Sequence, residues 1–421
     1  VRPIAQPYAE AVKHMYCCGP IGSGKTTMLA NMFRQDVENN YGAVLLESKG
    51  DLFHAALEYI PASRIEDVIV LDVTDTSRPV GFNILNQGNP RVVIDEITAL
   101  FDYLYGDTRS VWTREVMYHG LRTLVTDPKL TFIDLAPLLV PMNDVEYAWR
   151  DDLIRELKDR ELRNFWQRFE NQPRAAQDRI TQPVMDRIWQ LNARPEIRHI
   201  IGQSESSFQM ADVVANNKIL LVNLSGLARD TASLTGTLVM NSLWHAVKSV
   251  RAAQPNYLYL DEFQDFLNLP VDPQDLLAKS RSFGLGMVLA HQHLGQLSTD
   301  MRGAIMANTR SKLVFQTSAD DARAMAREFG DAVKDDDFMH LGKHEAIARV
   351  STSDGVSPPF TLVTNPPAAG YGKTKAVQYV SRQTYGRDVR EVEAEIEKRR
   401  GPGDGPKRRP PTIGGPGSWG Q

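Results

Sequence analysis

The run Gly19-Pro20-Ile21-Gly22-Ser23-Gly24-Lys25-Thr26 carries the plainest chemistry in the chain, because it fits the spacing G-x-x-x-x-G-K-[ST]. Glycines let backbone N–H groups converge on phosphate oxygens with no Cβ in the way. A helix opening directly afterwards adds the positive end of its dipole. Lys25 is the counter-charge for the β and γ phosphates of ATP, and the Thr26 hydroxyl is a ligand for Mg²⁺. Gly19, Gly22, Ser23, Gly24 and Thr27 complete the expected cradle. An apolar strand over 13–18 and a helix over 25–39 frame the loop as that chemistry requires.

A second constellation is Tyr257-Leu258-Tyr259-Leu260-Asp261-Glu262, an apolar strand ending in two acids. Such a pair falls at the carboxyl edge of a sheet, where open α/β folds bind ligands. Asp261 is placed to hold the Mg²⁺ shell. Glu262 is placed to polarise an attacking water, so hydrolysis is implied as well as binding.

Other residues carry weaker signals. Gln292 follows an apolar strand at 286–291 and could sense the γ-phosphate, orient water, or cap a solvated strand end. Arg281 lies on the preceding helix, either as a surface charge or as a finger reaching a neighbouring subunit's γ-phosphate; Arg302 and Arg310 are alternatives. Lys49-Gly50-Asp51 follows the second strand, where it could place water or Mg²⁺, or could simply be a turn with Asp51 as helix N-cap.

The elements that must position these groups alternate as in a parallel sheet covered on both faces. Strands are expected at 13–18, 42–47, 67–72, 218–225, 257–262, 286–291, 312–317 and 345–350, with helices between them. From 89 to 216 the alternation stops and the period is helical. Ile180, Val184, Ile188 and Leu191 form an apolar stripe, and 95–105, 112–125 and 145–169 read as further helices. The expected fold class is α/β with an inserted all-α subdomain. Residues 1–88 and 217–365 form the nucleotide-binding domain, 89–216 the insertion and 366–400 a C-terminal extension. Twelve of the last 21 residues are Gly or Pro, so 401–421 is expected to be a disordered tail; Lys398, Arg399, Arg400, Lys407, Arg408 and Arg409 make that end basic.

Composition excludes several classes. A net charge of −4 over 421 residues leaves no broadly basic surface, so any nucleic-acid contact must be confined to a pore or patch. Cys17 and Cys18, the only cysteines, are adjacent on a strand and suit neither a disulfide framework nor a zinc site. No apolar run approaches the roughly 18 residues of a membrane span, and no signal peptide is expected from the opening residues. The chain begins with Val, so an alternative start codon or a preceding segment is expected.

The order of these pieces resembles the HerA/FtsK superfamily of ring ATPases, and among them the TraD/TraG-type conjugative coupling proteins of type IV secretion systems. The resemblance runs over roughly 13–395 and rests on HMYCCGPIGSGKTTML, LESKGDL, KILLVNLSG, YLYLDEFQDFL and SRSFGLGMVLAHQHLGQL. It implies a RecA-like P-loop NTPase core plus an all-α domain, assembled as a hexamer whose pore takes single- or double-stranded DNA. It makes Lys25 and Thr26 the Walker A pair, Asp261 and Glu262 the Walker B pair, Gln292 the sensor glutamine and Arg281 the arginine finger. The relaxase or relaxosome and the secretion channel proteins become expected partners. The expected location is a cytoplasmic domain, held at the inner face of the bacterial membrane by an N-terminal segment or by partners. Two features depart from the pattern: no membrane helices precede the loop, and Glu47-Ser48 stands where relatives show Asp-Pro. Two other readings remain: a soluble HerA-like DNA-processing or packaging ATPase, and a secretion ATPase or adaptor that handles protein.

Overall fold

A computed structural model of the chain describes residues 4–105, 111–267, 269–330 and 332–400. The expected disordered tail, 401–421, lies outside the described residues. The strands are β1 Met15–Cys18, β2 Gly42–Glu47, β3 Val68–Asp72, β4 Ile219–Asn223, β5 Asn256–Asp261, β6 Leu285–His291, β7 Ser311–Phe315 and β8 Glu345–Arg349. A small hairpin of β9 Ser351–Thr352 and β10 Gly355–Val356 follows, then β11 Phe360–Val363. Among the described residues one sheet runs in the order β11-β8-β7-β1-β6-β5-β2-β4-β3. β1 to β7 are mutually parallel, and β8 and β11 finish one edge as antiparallel strands.

The sheet is buried on both sides, which is why its strands are near-continuous apolar runs. Successive side chains enter different cores: Tyr16 and Cys18 face one, Met15 and Cys17 the other. The adjacent cysteines are free and buried, as the strand reading requires. One face carries the helices Lys25–Glu38 and Asp51–Glu58; the other merges with the core of the helical segment between β3 and β4.

That segment contains the helices Pro90–Tyr105, Val111–Leu124, Leu135–Leu139, Asp144–Glu156, Arg160–Glu170, Arg174–Asn192, Pro195–Ile201 and Met210–Ala215. The apolar stripe of Arg174–Asn192 is buried as its spacing predicts. The single helix expected over 145–169 is instead two. Asp159 interrupts it: its carboxylate accepts from the N–H groups of Glu161 and Leu162 as an N-cap, and it pairs with Arg122 at 2.6 Å.

The extension after β11 is ordered helix. Thr374–Tyr385 lies along β3, where Ser381 Oγ accepts from the Val70 N–H at 2.8 Å, so the open edge of the sheet is covered. Val389–Arg400 crosses to the helical segment. There Arg399 pairs with buried Asp134 at 3.0 Å and donates to Gly202 O and Ser204 Oγ, tying the last helix of the extension to the insertion.

Candidate active site

The parallel strands end together at one edge. Cys18 is in register with His291, Ala290 with Asp261, and Leu46 with Leu260, so the ends of β1, β6, β5 and β2 stand side by side. Gly19 continues the ladder by donating to His291 O at 3.3 Å, and the glycine loop turns from there into Lys25–Glu38. Gly22 and Gly24 have φ of 79° and 112°, a region that strains any residue with a Cβ. At Gly19 space alone forbids one: a Cβ would lie 2.7 Å from Cβ of Phe315.

Three observations fit this loop to a phosphate chain. The helix it opens has no side-chain cap, leaving its first N–H groups for a ligand. The Ser23 hydroxyl is buried with no partner. The Lys25 ammonium turns back onto the loop's own carbonyls, Gly19 O at 2.5 Å and Pro20 O at 3.1 Å, so its charge lies within the cradle. Thr27 follows in the first turn of the same helix.

Across the edge, Thr26 Oγ1 lies 3.5 Å from Asp261 Oδ2, which places a hydroxyl and a carboxylate as neighbours suited to one divalent cation. Burial pushes the Asp261 carboxyl up; the Lys49 charge opposes that shift and Glu262 adds to it. Glu262 is the first residue past β5 and takes φ 56°, a strained conformation for a side chain of its kind. Its carboxylate is gripped from three sides: Lys49 Nζ at 2.7 Å and Gln292 Nε2 at 2.6 Å on Oε1, and Gln264 Nε2 at 2.9 Å on Oε2. Burial alone would raise Glu262, but these hydrogen bonds outweigh it and hold the carboxyl down at about 2.

The structure therefore brings together Gly19, Gly22, Ser23, Gly24, Lys25, Thr26, Thr27, Asp261, Glu262 and Gln292. It does not bring Arg281 to them. Arg281 is exposed at the end of the helix Pro273–Ser282, just before β6 begins, so it stands at the opposite edge of the sheet. Arg302 is exposed on Thr299–Asn308, and Arg310 is exposed where β7 begins. Lys49 proves to be the ion-pair partner of Glu262. Gly50, with φ 98°, takes the N-cap position of the next helix, and Asp51 is that helix's first residue. Sequence reasoning did not single out Gln264, although it sits two residues past Glu262 in the same motif.

The sequence profile of the type IV secretion-system coupling protein DNA-binding domain family matches residues 3–355. The chain belongs to that family. No match was found among curated protein sequences. Solved structures with the same fold include the plasmid coupling protein TrwB with the non-hydrolysable GTP analogue GDPNP, at 15% identity and TM-score 0.59, covering 87% of this chain and 88% of that one. TrwB with ADP and Mg²⁺ is similar at 14% identity and TM-score 0.57, covering 86% and 87%. VirB4 of Thermoanaerobacter pseudethanolicus aligns at 13% identity and TM-score 0.54, covering 86% and 91%. The α/β class with a mainly parallel sheet and a helical insertion is thus the coupling-protein fold. Among the described residues of this coupling-protein chain, no helix is long and apolar enough to cross a membrane.

Proposed function

We propose that this coupling-protein chain is an ATP-driven DNA translocase of a conjugative or other mobile-element transfer system, hydrolysing ATP between the subunits of a ring. The observation that carries the reading is the convergence of the glycine loop, the Thr26–Asp261 pair and the gripped Glu262 on one sheet edge. The TrwB structures that hold a GTP analogue, or ADP with Mg²⁺, support a nucleotide there. In this reading 1–88 with 217–365 form the nucleotide-binding domain, 89–216 the all-α insertion and 366–400 the extension.

The loop amides and Lys25 would hold the phosphates, and Thr26 with Asp261 would hold Mg²⁺. The bound nucleotide supplies the scissile phosphoanhydride, and the metal supplies charge that offsets its oxygens. Glu262 is ionised at neutral pH and, with its carboxyl near 2, is a weak base. Its task is therefore to orient a water by accepting a hydrogen bond. Oε2, with one hydrogen bond from Gln264, keeps a lone pair for that water, and Gln292, the residue after β6, links the carboxylate to that strand. Arg281 stands at the far edge from its own loop, so a finger role requires a neighbouring subunit's site. The ring that such a role needs, and its six copies, are carried over from the family.

DNA is the proposed cargo, taken through the ring pore, with relaxase and secretion-channel proteins as proposed partners. Attachment at the inner face of the membrane would fall to partners or to chain outside the described residues. The test is steady-state ATP hydrolysis with and without single- and double-stranded DNA, using Glu262→Gln as the blank. Strong stimulation by DNA is the expected result. Hydrolysis indifferent to DNA would shift the reading to a protein-handling secretion ATPase.

A further inference from the structure

A nucleotide laid on the loop has a direction. Thr26, Asp261, Glu262 and Gln292 all lie toward β5 and β6, so the terminal phosphate faces that side. Its nucleoside end must leave on the other side of β1, toward β7, β8 and β11. There two residues from distant parts of the chain press against the loop. A Cβ built on Gly24 would lie 2.8 Å from Nδ1 of His344 and 3.3 Å from Oγ1 of Thr364.

His344 precedes β8, and Thr364 follows β11. The Thr364 N–H donates to His344 O at 3.0 Å and so fixes one to the other. The segment after Thr364 is clamped to the loop's own helix: Asn31 Nδ2 donates to Asn365 O and Pro366 O, and Asn31 Oδ1 accepts from the Ala368 N–H. His344 is exposed and holds φ 66°, a conformation glycine would adopt without strain. The positive φ belongs to the turn in which the Glu345 N–H donates to Gly342 O, and that turn holds a solvent-facing imidazole against the phosphate loop, where it is placed as a ligand contact.

We propose that His344 is the nucleoside-side contact, its ring stacking on the base while Thr364 braces it. The inference rests on the nucleotide reading above. The test is calorimetric binding of ATP and of inorganic tripolyphosphate, each with Mg²⁺, to the full chain. His344→Gly relieves the strained φ, so its thermal midpoint should be unchanged or higher. ATP should nevertheless bind about tenfold more weakly, and tripolyphosphate equally well. His344→Phe, which keeps a ring, should retain most of the ATP affinity. His344→Asn tolerates the same φ and repeats the test if the glycine variant folds poorly. Lys25→Ala should weaken both ligands. Unchanged ATP affinity in His344→Gly, or an equal loss for both ligands, would overturn the proposal while leaving the nucleotide site intact. Wild-type protein that binds neither ligand would overturn both.

Discussion

Glu47, at the end of β2 beside Asp261, offers a prediction whose size follows from its surroundings. It is 1% exposed, Oε2 accepts from the Phe53 N–H at 2.8 Å, and Oε1 is buried with no partner. Burial pushes its carboxyl from 4.5 up to about 7; the Phe53 and Leu52 amides oppose this, and Asp261 and Asp51 add to it. A raised acid keeps its proton in the folded chain where the unfolded chain has lost it. Its contribution to stability is therefore complete below about pH 4.5 and is lost as pH rises through 7. At ~1.4 kcal/mol per pH unit, the stability lost through Glu47 is ~1 kcal/mol at pH 5 and ~3 kcal/mol at pH 8. Glu47→Gln keeps the acceptor for Phe53 and cannot ionise. Urea denaturation should show the variant gaining ~2 kcal/mol more over wild type at pH 8 than at pH 5. An equal difference at both pH values would refute the reasoning, because any packing change made by the amide is independent of pH.

Three further outcomes are expected. Glu262→Gln should keep nucleotide binding and lower turnover by about a hundredfold or more, measured by steady-state hydrolysis beside equilibrium binding. Arg281→Ala should lower turnover by about a thousandfold yet recover part of it in rings mixed with Glu262→Gln subunits, since a finger acts on the neighbour's site; absence of recovery would count against that role. Arg399→Ala should destabilise the chain by roughly 3 kcal/mol, because Asp134 would stay buried without its guanidinium, and limited proteolysis should then release the helix Val389–Arg400 first.

Local patterns in the sequence settled the glycine loop, the acid pair and most of the strands. Those features depend on spacings of two, four or eight residues, and the period of a buried strand or an amphipathic helix is written in consecutive side chains. The broken helix at Asp159 escaped that reading, because a helical period continues on both sides of a cap. β11 and the two helices of the extension escaped it too: β11 is half exposed at a sheet edge, and Thr374–Tyr385 buries only Val377 and Ser381, so neither has a strong apolar signature. Only the tertiary structure decided what surrounds Glu262 and Gly24. Lys49 and Glu262 are 213 residues apart, and they meet because β2 and β5 are neighbours in the sheet. His344 reaches Gly24 because β8 runs antiparallel beside β7, which returns its start to the edge where β1 ends. Strand order arises from the packing of whole layers, and no short stretch of sequence encodes it. The same order set Arg281 at the opposite edge from its own loop, a placement that its position in the sequence does not reveal.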